Sequence, residues 1–275
     1  MPAEETEMDR WPPGGDSDFS DRILHTARDG LAAIRARRPR VHCITNTVAQ
    51  AYTANALLAL GAVPSMTTAP DEIAAFAGSA DALLVNLGTL EPERRAVIRT
   101  AIEVASAAGR PWLLDPVFID RSAGRAAFAR DLAAIAPAAI RGNGAEIAVL
   151  GPDEDLAMIA RRLATVVAAT GETDVVTDGD RLVAIANGHP LMARVTAMGC
   201  AGAAVTAAFL AVGDDACAAS AAAMLLLGIA GESAAETARG PGSFASAYLD
   251  ALYGLEAADI AARARVTTPE QGEAP

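Results

Sequence analysis

The chain has 275 residues, a length that allows one large α/β domain or two small ones, and its 52% hydrophobic content suffices for a sizeable core. About a quarter of it is alanine, and all 22 basic residues are arginine, because lysine is absent. That excludes Schiff-base, P-loop and general-base lysines, and a net charge of −12 argues against nucleic acid or an anionic membrane as partner.

Residues 1–18 are acidic and rich in proline and glycine, without the apolar run of a signal peptide, and are expected to form a disordered tail. From Phe19 to Arg37, apolar residues recur at helical spacing and end in a basic last turn. Short apolar runs then alternate with alanine-rich helical stretches. VHCIT leads to a helix over Val48–Leu60, VPSMT to one over Asp71–Ala77, and ALLVNL to one over Pro92–Ala108. PWLLDPV precedes a helix over Ala123–Ile135, and AAIRGN precedes helices over Glu146–Leu150 and Leu156–Ala164. TDVVTD and RLVAIAN, joined at Asp178-Gly179-Asp180, read as a hairpin. The last third reads as three helices over Cys200–Val212, Ala216–Ala238 and Phe244–Ala262, with a second disordered tail over 266–275. The most apolar stretch, Ala216–Ala230, is shorter than the roughly 20 residues that span a bilayer and reads as a buried helix.

Strands alternating with helices of this length predict a single α/β domain over residues 19–265, with a mainly parallel central sheet and helices on both faces. Such sheets bind ligands at the carboxyl ends of their strands. Four segments there carry chemical groups: ITN (44–46), NLGT (86–89), DPV (115–117) and RGNGAE (141–146). Asp115 sits where a strand ends before a proline, a position suited to a metal or a proton, although a turn or cap role fits as well. Glu146, three residues after Asn143, fits half of a capping box. Gly199 and Gly202 flank Cys200 at the start of an apolar helix, whose first N–H groups form an anion site and would lower the pKa of a thiol placed there. A buried, inert Cys200 is the alternative, and Cys43 and Cys217 read as core. Three cysteines without metal-ligand spacing indicate neither a disulfide framework nor a zinc site, and point to a reducing, cytoplasmic compartment.

Taken as a set, VHCITNTVAQAYTANALLALGAVPSM (41–66), ADALLVNLGTL (80–90), LDPV (114–117), PAAIRGNGAEI (137–147), TGETDVVTDGDR (170–181), NGHPLMARVTAMGC (187–200) and GPGSF (240–244) resemble the hydroxyethylthiazole kinases of thiamine salvage, members of the ribokinase-like superfamily. The resemblance implies a ribokinase-like three-layer α/β/α fold and transfer of a phosphoryl group from ATP to 4-methyl-5-(2-hydroxyethyl)thiazole. It implies a homotrimer with its sites at subunit interfaces. The thiazole would be contacted by Asn46 and Met66, with Ala197 at the same end, and ATP by Arg141, Asn143 and Thr170. Magnesium would be held by Asp115 and Glu146. Met198, Gly199 and Cys200 would form the anion hole, with Cys200 in the place of the base.

The family's GTGC is Ala197-Met198-Gly199-Cys200 here, so one glycine and one hydroxyl are replaced. Its glycine-containing stretch after DPV is Phe118-Ile119-Asp120-Arg121, its NASE-like motif is NGAE, and the segment between Glu146 and Thr170 is shorter. These departures leave two further readings open: a thiazole-binding paralogue with impaired transfer, and a kinase for another small heterocyclic alcohol.

Overall fold

The structure, a computed structural model, describes residues 17–268, so the expected tails lie largely outside the described residues. Helix α1 (Ser17–Arg37) already begins within the stretch expected to be tail. There follow β1 (Arg40–Ile44), α2 (Gln50–Leu60), β2 (Val63–Ser65), α3 (Ile73–Ser79), β3 (Ala82–Asn86), α4 (Pro92–Ala107) and β4 (Trp112–Asp115). Next come α5 (Ala123–Ala133), β5 (Ala139–Asn143), α6 (Gly144–Leu150), α7 (Leu156–Leu163), β6 (Val166–Thr170), β7 (Asp174–Thr177) and β8 (Leu182–Ile185). The chain then runs through α8 (Met198–Leu210), α9 (Ala216–Thr237), α10 (Pro241–Gly254), α11 (Ala257–Arg263) and β9 (Val266–Thr267).

Among the described residues the strands form one sheet in the order β2-β1-β3-β4-β5-β6-β7-β8-β9. The pairs from β2 to β6 are parallel, and those from β6 to β9 antiparallel. Side-chain alternation divides the core into two layers. Val41, Cys43, Leu84, Leu113, Val166 and Ala168 face α1, α2, α8, α9 and α10. Ile44, Leu83, Val85, Leu114, Ile140 and Val167 face α3 through α7. The three-layer α/β/α arrangement is as expected.

Alanine sets the central helices. Almost all of α8 and most of α9 is buried, and both are apolar on every side, the pattern of a helix enclosed by other elements. Helix α9 is long and apolar enough to cross a membrane, yet 83% of its most apolar window is buried against the rest of the chain, as in the core helix of a globular domain.

The structure corrects three expectations. VVAAT (166–170) is strand β6, where the sequence reading placed no element. The single helix over Phe244–Ala262 is two helices, because Leu255 is extended and Glu256 caps α11 in a reciprocal box with Asp259. The domain does not stop at 265, since Val266 and Thr267 pair with β8 as an edge strand.

Candidate active site

Parallel register brings the polar strand ends together. Asn86 is aligned with Asp115 across β3 and β4, and Asn143 with Thr170 across β5 and β6. Asn46 lies two residues beyond β1, whose Ile44 is aligned with Val85. Asn86 is buried and donates from Nδ2 to Asp115 Oδ2 at 2.5 Å and to Cys200 Sγ at 3.2 Å. Its Oδ1 accepts from Asn46 Nδ2 at 3.2 Å and from the Gly88 N–H at 2.9 Å. Asn46 Nδ2 also reaches Cys200 Sγ at 3.2 Å. A Cβ at position 88 would stand 2.6 Å from Asn46 Cβ, so the NLG segment needs its glycine. Arg94 ties the two loops together, donating to the carbonyls of Thr45 and Thr89.

At the end of β5 the capping reading and the site reading of Glu146 coincide. Glu146 Oε2 accepts from Asn143 N at 2.9 Å, Asn143 Oδ1 accepts from Glu146 N at 2.9 Å, and Glu146 Oε1 accepts from Phe118 N at 2.8 Å. The carboxylate is thereby fixed beside the strand end that carries Asp115. A Cβ at Gly142 would meet Glu146 Oε2 at 3.0 Å and Pro116 Cγ at 3.3 Å, so glycine lets these elements close on one another. Burial pushes Asp115 up to about 7, against the Asn86 hydrogen bond; the negative Glu146 adds to the rise, and Arg141 opposes it.

Helix α8 is preceded by its N-cap Ala197, which holds a left-handed backbone (φ 69°, ψ −1°) and whose carbonyl accepts from Ala201 N at 2.8 Å. The N–H groups of Met198, Gly199 and Cys200 have no carbonyl four residues back within the helix, as at any α-helix start. Arg141 crosses this turn, donating from Nη1 to Gly199 O at 3.0 Å, while its buried Nε has no partner. A Cβ at Gly202 would stand 2.7 Å from Arg141 Nη2, so that glycine makes room for the guanidinium. Met198 is buried and belongs to the core beneath the turn. The expected lowering of the Cys200 pKa is reversed. Burial, reinforced by Asp115, pushes the thiol up to about 12, outweighing the two asparagine hydrogen bonds and Arg141. Local sequence shows the helix start but not the depth at which it lies.

One cleft of about 800 Å³ is lined by Asn46, Asp115, Arg141, Asn143, Glu146, Thr170, Ala197, Met198, Gly199 and Cys200. Of the predicted site residues only Met66 is outside it, half-buried against the core near the β2 edge. A second cleft of about 750 Å³ shares the wall formed by Arg141, Thr170, Met192, Met198 and Gly199, and continues past Asp174, Asn187 and Tyr248. Arg141 therefore lines two neighbouring spaces. Burial raises Asp174 to about 6 in the second. Of the residues around this cleft, Asn86 and Arg125 carry no sequence signal of their own, whereas Phe118 is marked by its place in the altered stretch after DPV. Arg125 lines the first cleft and donates from Nη1 to Val117 O at 2.9 Å. Among the described residues no group of three or more His, Cys, Asp or Glu side chains is gathered for a metal.

The comparisons with known proteins follow the same outline. The model of the hydroxyethylthiazole kinase family matches residues 31–156 and 152–258, two stretches that meet in the loop between α6 and α7, within the segment read as shortened. The hydroxyethylthiazole kinase of Klebsiella pneumoniae (strain 342) is 51% identical over 237 residues, covering 80% of this chain and 92% of its own. The structure of the hydroxyethylthiazole kinase protein from Pyrococcus horikoshii OT3 superposes with a TM-score of 0.86 at 39% identity, covering 90% of this chain and all of its own. A ribokinase-like superfamily protein from Enterococcus faecalis V583, 14% identical over 79% of this chain and 88% of its own, has a TM-score of 0.61 and shares the fold. Matched by the family model along both halves, and about half identical to a relative over most of that relative's length, this chain belongs to the hydroxyethylthiazole kinase family.

Proposed function

We propose that the protein transfers the γ-phosphoryl group of ATP to the hydroxyl of 4-methyl-5-(2-hydroxyethyl)thiazole, with the alcohol in the first cleft and the nucleotide extending into the second. The single observation that carries this reading is the position of Arg141, which lines both spaces and donates to the Gly199 carbonyl in the first turn of α8. Phosphoryl transfer asks little covalent chemistry of a protein; it asks for an in-line hydroxyl and neutralised charge. In a chain without lysine, Arg141, the α8 N-terminus and a divalent cation supply that charge.

Asp115 and Glu146 suit a hard cation. Two carboxylates face each other's charge at adjacent strand ends, and burial holds one of them partly protonated near neutral pH, a situation that a cation relieves. Magnesium keeps most of its coordination sphere for water and phosphate oxygens, so two protein carboxylates suffice. When bound between Asp115 and Glu146, it would neutralise phosphate charge. Thr170, whose Oγ1 donates to Gly142 O at 3.3 Å, and Asn143, at the mouth, border the phosphate side.

Cys200 belongs against the acceptor hydroxyl. With its proton held to about pH 12, the thiol orients the alcohol rather than attracting its proton at neutral pH. A loose transition state tolerates this, because the alcohol proton leaves late. Met66 has no part in its own chain's cleft, which supports a role in the cleft of another copy and hence a homotrimer with sites at subunit interfaces. The test is formation of the thiazole phosphate from ATP and the alcohol, followed by ³¹P NMR. A new phosphomonoester signal is expected, and none at high enzyme concentration would sink the proposal.

A further inference from the structure

Phe118 is a large side chain on a backbone that favours glycine. Its φ of 58° and ψ of 29° lie in the left-handed region, where a bulky residue is an outlier. The ring is also 59% exposed, against 39% for Phe76, whereas Phe19, Phe128, Phe209 and Phe244 are buried. Strain and exposure together, on the lip of the first cleft, need a compensating role.

The backbone around the ring is fixed on every side. The Phe118 N–H is held by Glu146 Oε1 at 2.8 Å, the preceding carbonyl by Arg125 Nη1 at 2.9 Å, and the following Ile119 is buried at the start of a short 3₁₀ turn over Ile119–Arg121. The ring is thus presented from a rigid mount. Val48, 69% exposed, lines the same cleft and adds a second apolar side chain to its wall. Polar groups, Asn46 and Cys200, lie deeper. An apolar lip over a polar floor fits a flat heteroaromatic ring carrying a hydroxyl arm, with the ring covered at the mouth and the arm reaching the floor.

We infer that Phe118 is a specificity-determining residue which stacks on the aromatic ring of the acceptor alcohol, with Val48 against the same ring. This rests on the thiazole-alcohol reading of the cleft, and binding measurements separate the two. Calorimetric titration of the wild type and of Phe118→Ala, Phe118→Gly and Phe118→Tyr uses two probes: 4-methyl-5-(2-hydroxyethyl)thiazole and a saturated five-membered-ring alcohol of the same size. Phe118→Gly removes the ring while suiting the backbone, so a loss there is not a folding defect. The wild type is expected to prefer the aromatic alcohol, with that preference about tenfold weaker in Phe118→Ala and Phe118→Gly and kept in Phe118→Tyr. A non-hydrolysable ATP analogue is expected to bind all four within about twofold. An unchanged preference in Phe118→Ala and Phe118→Gly, or a loss confined to the nucleotide analogue, would overturn the inference. Binding of the alcohol without any phosphoryl transfer would instead count against the kinase reading and leave the stacking comparison intact.

Discussion

Asp115 is the residue with most at stake. Its burial next to Glu146 makes the folded protein hold a proton there to about pH 7, whereas an unfolded chain releases it near 3.9. Between those values the native state binds more protons than the unfolded state at this group, so the contribution of Asp115 to stability is fully present below about 4 and is lost as pH rises through 7. Asp115→Asn removes that penalty along with the proposed metal ligand. Urea unfolding without added divalent cation should find the variant more stable at pH 8 by roughly 2–4 kcal/mol, the difference closing toward pH 4. Parallel stability profiles for the two proteins would contradict the assignment. Asp115 was legible in the sequence only as a candidate, because a turn or cap role fits an aspartate at a strand end equally well and its metal role came from the family resemblance. Asn86 was not singled out, since its partners Asp115 and Cys200 are brought to it only by the sheet and α8. For the same reason the Cys200 pKa was misjudged: helix position is local information and burial is not.

At the scale of elements, the start of α8 carries the chain's departure from its family. Ala197 adopts the left-handed backbone that the family's glycine would take without strain, and a side chain there costs about 1–2 kcal/mol. Ala197→Gly should therefore stabilise the protein, by roughly 0.5–1 kcal/mol after the greater freedom of glycine in the unfolded chain is subtracted. Thermal unfolding checks the sign, and a lower midpoint would show that the turn is not strained. The N–H groups that open α8 are untouched by the replacement of glycine and threonine, because they belong to the backbone. The strands that were legible are short continuous runs rich in Val, Leu and Ile, buried on both faces. Strand β6 escaped because three of the five residues of VVAAT are alanine or threonine and it follows α7 with neither Gly nor Pro, the helix being closed instead by Ala164 at a left-handed φ of 49°. The two residues of β9 are too few to carry a period.

For the whole molecule, the location of Met66 makes assembly part of the account. If its role lies in a neighbour's cleft, light scattering should give a particle of about three times 28.0 kDa, and a single-chain mass would remove Met66 from the site. The α/β/α layering was legible throughout the parallel half, since buried parallel strands and alanine-rich helices leave a strong pattern. What the sequence could not show was the convergence of ten predicted residues in a single cleft with Arg141 lining two neighbouring spaces. An acidic, lysine-free chain that handles a triphosphate depends on that convergence. The most direct measurement is alcohol-dependent release of ADP from ATP by the wild type and by Arg141→Ala. Steady ADP release by the wild type is expected only when the thiazole alcohol is present, with a loss of at least a hundredfold in Arg141→Ala. No alcohol-dependent release by the wild type, or equal release by the two, would contradict it.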